Sequence, residues 1–335
     1  MNKIAACLLI VTAVMAVACS NGPLAVAPRA TAAPKAGTIR FSVAGNASVK
    51  DVPSLMALDS LEAQGYAVEI VTFAKSSLIP PALLQEDVDI ASANTTLSWA
   101  AIAQGADIRT VVGRANTSFY FVVKKSIQSC KELDGKAISF ATRQSVGYVM
   151  FEEFVEQHCA RVVPDVILIS ESRNQVAALQ AGEVEGAYLE LEDWLSLQEL
   201  APDEFHVLVD FAKEFPEVQL STFTVRREWA EQNHEMMKDY IRALLSAQRS
   251  VIENPQLLRD KIVQYLSLDS AQAQQLADAY IAAHIWDPNG GVTAENVRAT
   301  LDFLVAGDIL PAGSRVEDVA DLSYLNAVLD EIGRQ

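Results

Sequence analysis

Basic runs are missing from this chain, and so are the loops that hold nucleotides. No stretch is rich in Lys and Arg, and the formal net charge is −17. Such a surface repels a phosphate backbone, which excludes nucleic acid as a partner. There is no GxxxxGKS/T loop, no GxGxxG behind a strand and no GxSxG elbow, so the common nucleotide and hydrolase chemistries have no motif here. The four histidines (His158, His206, His234, His284) are isolated. His234-Glu235 opens like a zinc-protease helix, but Lys238 takes the second histidine's place, and that reading ends there. The carboxylate pairs Asp87/Asp89 and Glu183/Glu185 sit at strand entries and read as solvated turns. Nothing in the chain calls for a metal or cofactor, and an enzyme receives no positive support.

What is present begins with an export signal. Lys3 supplies a positive start, and Ile4 to Ala18 form an apolar segment too short to span a bilayer. It ends in Ala16-Val17-Ala18-Cys19-Ser20, small residues before a cysteine as in a bacterial lipobox, with Cys19 as the lipidated residue. Residues 19–37 are rich in Ala, Pro and Thr without periodicity and read as a flexible tether. Of the four cysteines, Cys7 leaves with the signal and Cys19 carries lipid; Cys130 and Cys159 remain as an even pair that an oxidising compartment can join. Two separate buried thiols are the alternative.

The stretch Glu86–Gly113 organises the rest. It reads as a strand (Val88 to Ala91), a polar turn, a helix and a second strand. Asn94 and Thr95 are helix-capping types, and Gly105 falls where a left-handed residue stops a helix. A second series of this kind starts at Lys136, with a strand over Ala137 to Phe140 and a helix over Val146 to His158. LLQEDVDIASAN at 83–94 recurs in order as LQAGEVEGAYLE at 179–190. Alternating strands and helices predict parallel sheets covered by helices, and two copies predict two lobes. From Glu228 the chain turns helical, with one long amphipathic helix expected over Trp229 to Ile252.

Ligands of open α/β sheets sit at the carboxyl ends of the strands. The polar loops there are Asn46-Ala47-Ser48, Lys75-Ser76-Ser77 and Asn94-Thr95-Thr96 in the first series, and Thr142-Arg143-Gln144-Ser145, Ser172-Arg173 and Glu190–Trp194 in the second. Each is by itself an ordinary helix cap; convergence on one cleft is what makes a site. Arg143 is placed to clamp a carboxylate, sulfonate or phosphate. Glu190 pulls toward a ligand with an N–H edge, and Tyr120, Tyr148 and Trp194 are candidates to sandwich a ring.

Four stretches resemble the substrate-binding subunits of bacterial ABC importers: 86–111, KELDGKAISF at 131–140, LQAGEVEGAYLELEDWL at 179–195, and DPNGGVTAENVRATLDFLVAGDIL at 287–310. The resemblance is to the group of sulfonate-, nitrate- and taurine-binding proteins and the thiamine-pyrimidine-precursor (NMT1/THI5-like) proteins. It implies a two-lobed α/β protein of the type II periplasmic-binding-protein kind, each lobe a mostly parallel sheet flanked by helices. Residues 38–120 would open lobe I, 121–221 form lobe II and 222–335 return to lobe I. Crossing strands near Phe119 to Val123 and Leu220 to Val225 would bring Thr117 and Ser221 to the cleft. The implied role is that of a monomeric, lipid-anchored, extracytoplasmic solute binder serving a permease and a separate ATPase. Its ligand would be either a small anionic organic molecule or a nitrogen heterocycle of the pyrimidine type. A ligand sensor and, on the same fold, a pyrimidine-synthesising enzyme are the alternatives.

Overall fold

The computed structural model describes residues 37–143, 145–159, 161–170 and 172–335. The signal, Cys19, nearly all of the tether and Gln144 lie outside the described residues. The strands are β1 (Thr38–Ala44), β2 (Ala67–Phe73), β3 (Ile90–Asn94), β4 (Ile108–Ala115), β5 (Phe119–Lys124), β6 (Ala137–Phe140), β7 (Asp165–Leu168), β8 (Gly186–Glu190), β9 (Phe205–Asp210) and β10 (Ser221–Arg226). Helices α1 (Val52–Ala63), α2 (Ile79–Leu84) and α3 (Thr95–Ala103) alternate with the first strands. The second series carries α4 (Val146–His158), α5 (Ser172–Ala181), α6 (Leu191–Leu200) and α7 (Phe211–Glu214). After β10 come α8 (Arg227–Gln232), α9 (His234–Glu253), α10 (Pro255–Leu266), α11 (Ser270–Ala282), α12 (Ala294–Ala306), α13 (Val316–Val319) and α14 (Ser323–Ile332).

The strands form two five-stranded sheets, in the orders β2-β1-β3-β10-β4 and β7-β6-β8-β5-β9. In each, one strand runs against its two neighbours: β10 pairs antiparallel with β3 and β4, and β5 with β8 and β9. These two reversed strands are the ones that enter from the other sheet. The chain passes between sheets at residues 116–118 and 211–220, so β5 and β10 each lie wholly in one sheet rather than spanning the gap.

Central strand β1 is covered on both faces, with Ile39, Phe41 and Ser42 fully buried, while edge strand β2 leaves Ile70 exposed. Phe41 meets Phe223 and Tyr240 at 5.7 and 6.1 Å between ring centres, forming the first core. α9 closes that core along α1 with Met237, Ile241, Leu244 and Leu245, a helical spacing of apolar residues. The second core is aromatic: Phe121, Phe140 and Phe151 pack within 4.4–5.6 Å of one another. Each such buried side chain stabilises by about 1.5–3 kcal/mol.

Two sequence expectations change, and one strand is added. The helix expected over Trp229 to Ile252 is broken at Asn233, whose side-chain amide donates to the Trp229 carbonyl (2.9 Å), a local bond that competes with the helical one. The added strand is Phe205–Asp210, which pairs with β5 at the edge of its sheet. Asp89 is not a solvated turn residue: it is 1% exposed and accepts from the Arg40 backbone N–H (2.9 Å), Nε (3.0 Å) and Nη2 (2.6 Å). A carboxylate is tolerated there because these charge-assisted bonds replace its hydration.

Cys130 and Cys159 are joined in a disulfide, with Cα atoms 6.0 Å apart. It ties the turn at Cys130–Leu133 to the end of α4 in the second core.

Candidate functional site

Between the two sheets lies a cavity of about 320 Å³. The first sheet contributes Ala44 at the end of β1 and Asn46 just beyond it, Ser92 to Asn94 of β3, Arg114 of β4 and Ser221 of β10. The second contributes Phe119 of β5 and Glu190 of β8, and the first passage supplies Asn116, Thr117 and Ser118. All of these lie at the carboxyl ends of parallel strands or at the starts of the reversed ones.

Local sequence explains how the walls are set. Asn94 ends β3 in extended conformation, and its Oδ1 accepts from the Thr96 N–H (2.9 Å), starting α3. Gly105, at φ +99°, follows the last turn of that helix. Ser48 and Asp51 form a capping box around the turn Val49–Asp51, with the Ser48 N–H donating to Asp51 Oδ2 (2.9 Å). That turn carries Lys50 and Asp51 into the cavity.

Four charges line the space. Arg114 donates from Nε (3.0 Å) and Nη2 (2.6 Å) to Asp51 Oδ1, and from Nη1 to Ser221 Oγ (3.2 Å). Lys50 Nζ reaches across to Glu190 Oε2 at 2.5 Å, joining a residue of the first sheet's side to one of the second's. Burial acts to raise the Asp51 carboxyl, but Arg114 and the Ser48 N–H outweigh it and hold it below its ordinary value. At Glu190, burial is likewise outweighed by Lys50 and then Arg114, which keep it ionised. Burial opposes the charge on Arg114, and Asp51 more than offsets it.

Of the residues singled out in the sequence, Asn46, Ser48, Ser76, Asn94, Thr117, Glu190 and Ser221 come together here. The others do not. Lys75 is exposed, and Thr95 is buried with its hydroxyl 3.2 Å from that of Thr222. Thr96 gives its N–H to the Asn94 cap and is absent from the lining. Ser145 caps α4 by accepting from the Tyr148 N–H (3.3 Å). Arg143 folds back on Tyr148, donating to its hydroxyl at 2.8 Å, and with it borders a separate cavity on the second lobe beside Glu152 and Arg161. Trp194 packs half-buried against the core of β8 and α5. Tyr120 opens instead onto a larger cavity of about 730 Å³ that shares Asn116 and Thr117 with the site. Its hydroxyl is pushed up to about 12 by burial and the neighbouring Asp210.

Sequence reasoning missed Lys50, Asp51 and Arg114. The pattern Ser48-x-x-Asp51 is a capping-box signature and was the available signal for the first two. Arg114 is one of two arginines, with Arg109, in the otherwise uncharged run 108–123, a weaker hint.

Among the described residues no group of three or more His, Cys, Asp or Glu could hold a metal, and no helix is long and apolar enough to cross a membrane.

Known proteins share this framework. The taurine-binding periplasmic protein of Escherichia coli (strain K12) is 24% identical over 196 residues, covering 57% of this chain and 59% of that protein. The match therefore spans somewhat more than half of the relative's length. The periplasmic aliphatic sulphonate binding protein SsuA of Escherichia coli superposes with a TM-score of 0.67 at 16% identity, over 86% of this chain and 92% of that one. The periplasmic nitrate-binding protein NrtA of Synechocystis PCC 6803 gives 0.67 at 11% identity, over 90% of each chain. A Candida albicans protein described as having the generic periplasmic binding protein fold gives 0.60 at 16% identity, over 88% of this chain and 94% of that one. These likenesses give the fold: two-lobed, α/β, of the periplasmic-binding-protein kind. The family model "NMT1/THI5 like" matches residues 61–257, more than half of the 335-residue chain, and the chain belongs to that family.

Proposed function

We propose that this protein is the extracytoplasmic solute-binding subunit of an ABC importer. It captures a small organic molecule between its two lobes and passes it to a membrane permease driven by a separate ATPase. The observation that carries this reading is the cavity itself: a polar, partly charged space at the strand ends of both sheets, with Lys50 and Glu190 supplied from opposite sides. Two passages between the lobes allow them to rotate as a hinge, and closure around a ligand completes a site that neither lobe has alone. The taurine-, sulphonate- and nitrate-binding relatives support the class. Export and anchoring through Cys19, a monomeric state and the absence of turnover belong to the same proposal. Arg143 takes no part in it, since it borders another cavity.

A thermal-shift screen of the mature protein against sulfonates, aromatic acids and vitamin precursors tests the reading. Ligand at 100 times its dissociation constant adds about 2.7 kcal/mol of stability. Deleting the gene should also remove high-affinity uptake of the stabilising solute. Unchanged uptake overturns the importer reading.

A further inference from the structure

Helix α6 carries the second lobe past the cavity wall and into the first. Its first residue, Leu191, is buried in an apolar cluster with Val49, Val52, Ala115, Tyr280 and Trp286, all from the first lobe's side. In that cluster α10 and α11 pack together, with α10 against α1 and α9. The next residue, Glu192, accepts from the Tyr280 hydroxyl of α11 at 2.6 Å. Tyr280 is buried, and its ring lies 5.8 Å from that of Trp286, whose Nε1 donates to the Lys50 carbonyl at 3.5 Å. The segment after α11 is tied to the first passage. There the Asn116 N–H donates to Ile285 O (2.7 Å) and its side-chain amide to His284 O (2.8 Å). None of Leu191, Glu192, Tyr280 and Trp286 lines the cavity. The lobes therefore hold each other outside the solute space as well as across it.

A hydrogen bond of 2.6 Å is lost once its atoms part beyond about 3.5 Å. Rotation of the second lobe away from the first breaks the Tyr280–Glu192 bond and draws Leu191 out of its apolar cluster into water. Both losses oppose opening, with or without a solute between the walls. A solute that binds the closed arrangement has an apparent affinity scaled by the fraction of molecules already in it. Resting on the solute-capture reading above for its consequence, we propose that Tyr280 is a positioning residue. Its hydroxyl latches α6 to α11 through Glu192 and sets how far the lobes stand open, without touching the solute. The ring supplies packing, and the charge-assisted bond to Glu192 supplies the latch.

The test needs no solute. Nitroxide labels on Gln64→Cys and Leu200→Cys report the lobe separation in the mature protein by pulsed electron resonance, with the Cys130–Cys159 disulfide left oxidised. Both positions are exposed, at the far ends of α1 and α6. These helices start at the cavity wall, beside Asp51 and Glu190, and run away from it, so rotation of the lobes changes the distance. Tyr280→Phe, which keeps the ring, should raise the ratio of open to closed lobes about tenfold, the weight of one hydrogen bond to a charged group. Glu192→Ala, at a partly exposed position, should do the same. The double variant should go no further than either alone, and Glu192→Gln, which keeps an acceptor, should shift the ratio less. An unchanged distance distribution in both single variants overturns the inference. So does a shift from Tyr280→Phe that Glu192→Ala fails to reproduce, or that adds to it in the double variant. None of these outcomes bears on solute capture, which stands or falls with the solute screen.

Discussion

Asn94 and Glu190 hold the same place in the two lobes. Each is the last residue of the third strand in its sheet's order, β3 and β8, and each is the N-cap of the following helix. Each pairs across to the first residue of the reversed strand, Asn94 with Ser221 and Glu190 with Phe119. The next N–H in each lobe donates to the passage preceding that strand, Thr95 to Leu220 O (3.1 Å) and Leu191 to Ser118 O (3.0 Å). All four of Asn94, Ser221, Glu190 and Phe119 line the cavity. The backbone plan is therefore repeated, and the side chains are not. The first lobe spends its residue on capping, while the second leaves its side chain free to reach Lys50. A repeated scaffold supplies two equivalent walls, and one substitution at an equivalent position gives them opposite character.

The lobes also differ in what holds them together. The first is closed by α9 and α14 over an aliphatic and aromatic core; the second depends on a ring cluster and one disulfide. The largest expected effect comes from the charge core between them. Arg114→Met leaves Asp51 buried without its partner and should cost about 3–5 kcal/mol in urea unfolding. A double Asp51→Asn, Arg114→Met variant should recover part of that loss.

Next is the disulfide. Cys130→Ser with Cys159→Ser should lower stability by about 2–4 kcal/mol, with the loss of hydrogen-exchange protection confined to the second lobe. Equal loss in both lobes would mean that they unfold as one unit. A third change tests how the first sheet is braced. The Gly113 N–H donates to the Gly290 carbonyl at 2.8 Å, and a Cβ on Gly113 would lie 2.5 Å from that oxygen. Gly113→Ala should therefore cost about 1–3 kcal/mol, read as a shifted urea midpoint.

The pH dependence follows from two depressed carboxyls. Asp51 and Glu190 both have folded values below their ordinary ones. Their contribution is complete above the unfolded carboxylate values near 4 and is lost as pH falls through the folded ones. Urea midpoints should therefore drop in acid, and less so in Asp51→Asn. The smallest effect belongs to the interlobe pair: Lys50→Gln should cost about 1 kcal/mol or less, because Glu190 keeps solvent contact. Its weight falls on binding rather than on folding.

Much of the scaffold was legible locally. The Asn94 cap, the stop at Gly105, the strand Ala137–Phe140 and the helix Val146–His158 all stand where short-range signals put them. The recurrence of 83–94 at 179–190 is itself a mark of two equivalent units, legible in the order of residues alone. The site was only half legible, for a physical reason. Caps and turns are made by neighbours in sequence, whereas Arg114–Asp51 and Lys50–Glu190 join residues 63 and 140 positions apart. Arg143 looked sharper than Arg114 because it sits in a strand-to-helix turn, yet Tyr148, five residues on, holds it. Asp89 misled in the same way, since its partner Arg40 is 49 residues away.

The most direct test of the account is hydrogen–deuterium exchange on the mature protein, with and without the solute that stabilises it most. New protection should appear together in segments 46–51, 92–96 and 114–119 and in segment 188–193, one set from each lobe and the passage between them. Protection confined to one lobe, or centred on Arg143 to Val166, would contradict a ligand held in the cleft between the two sheets.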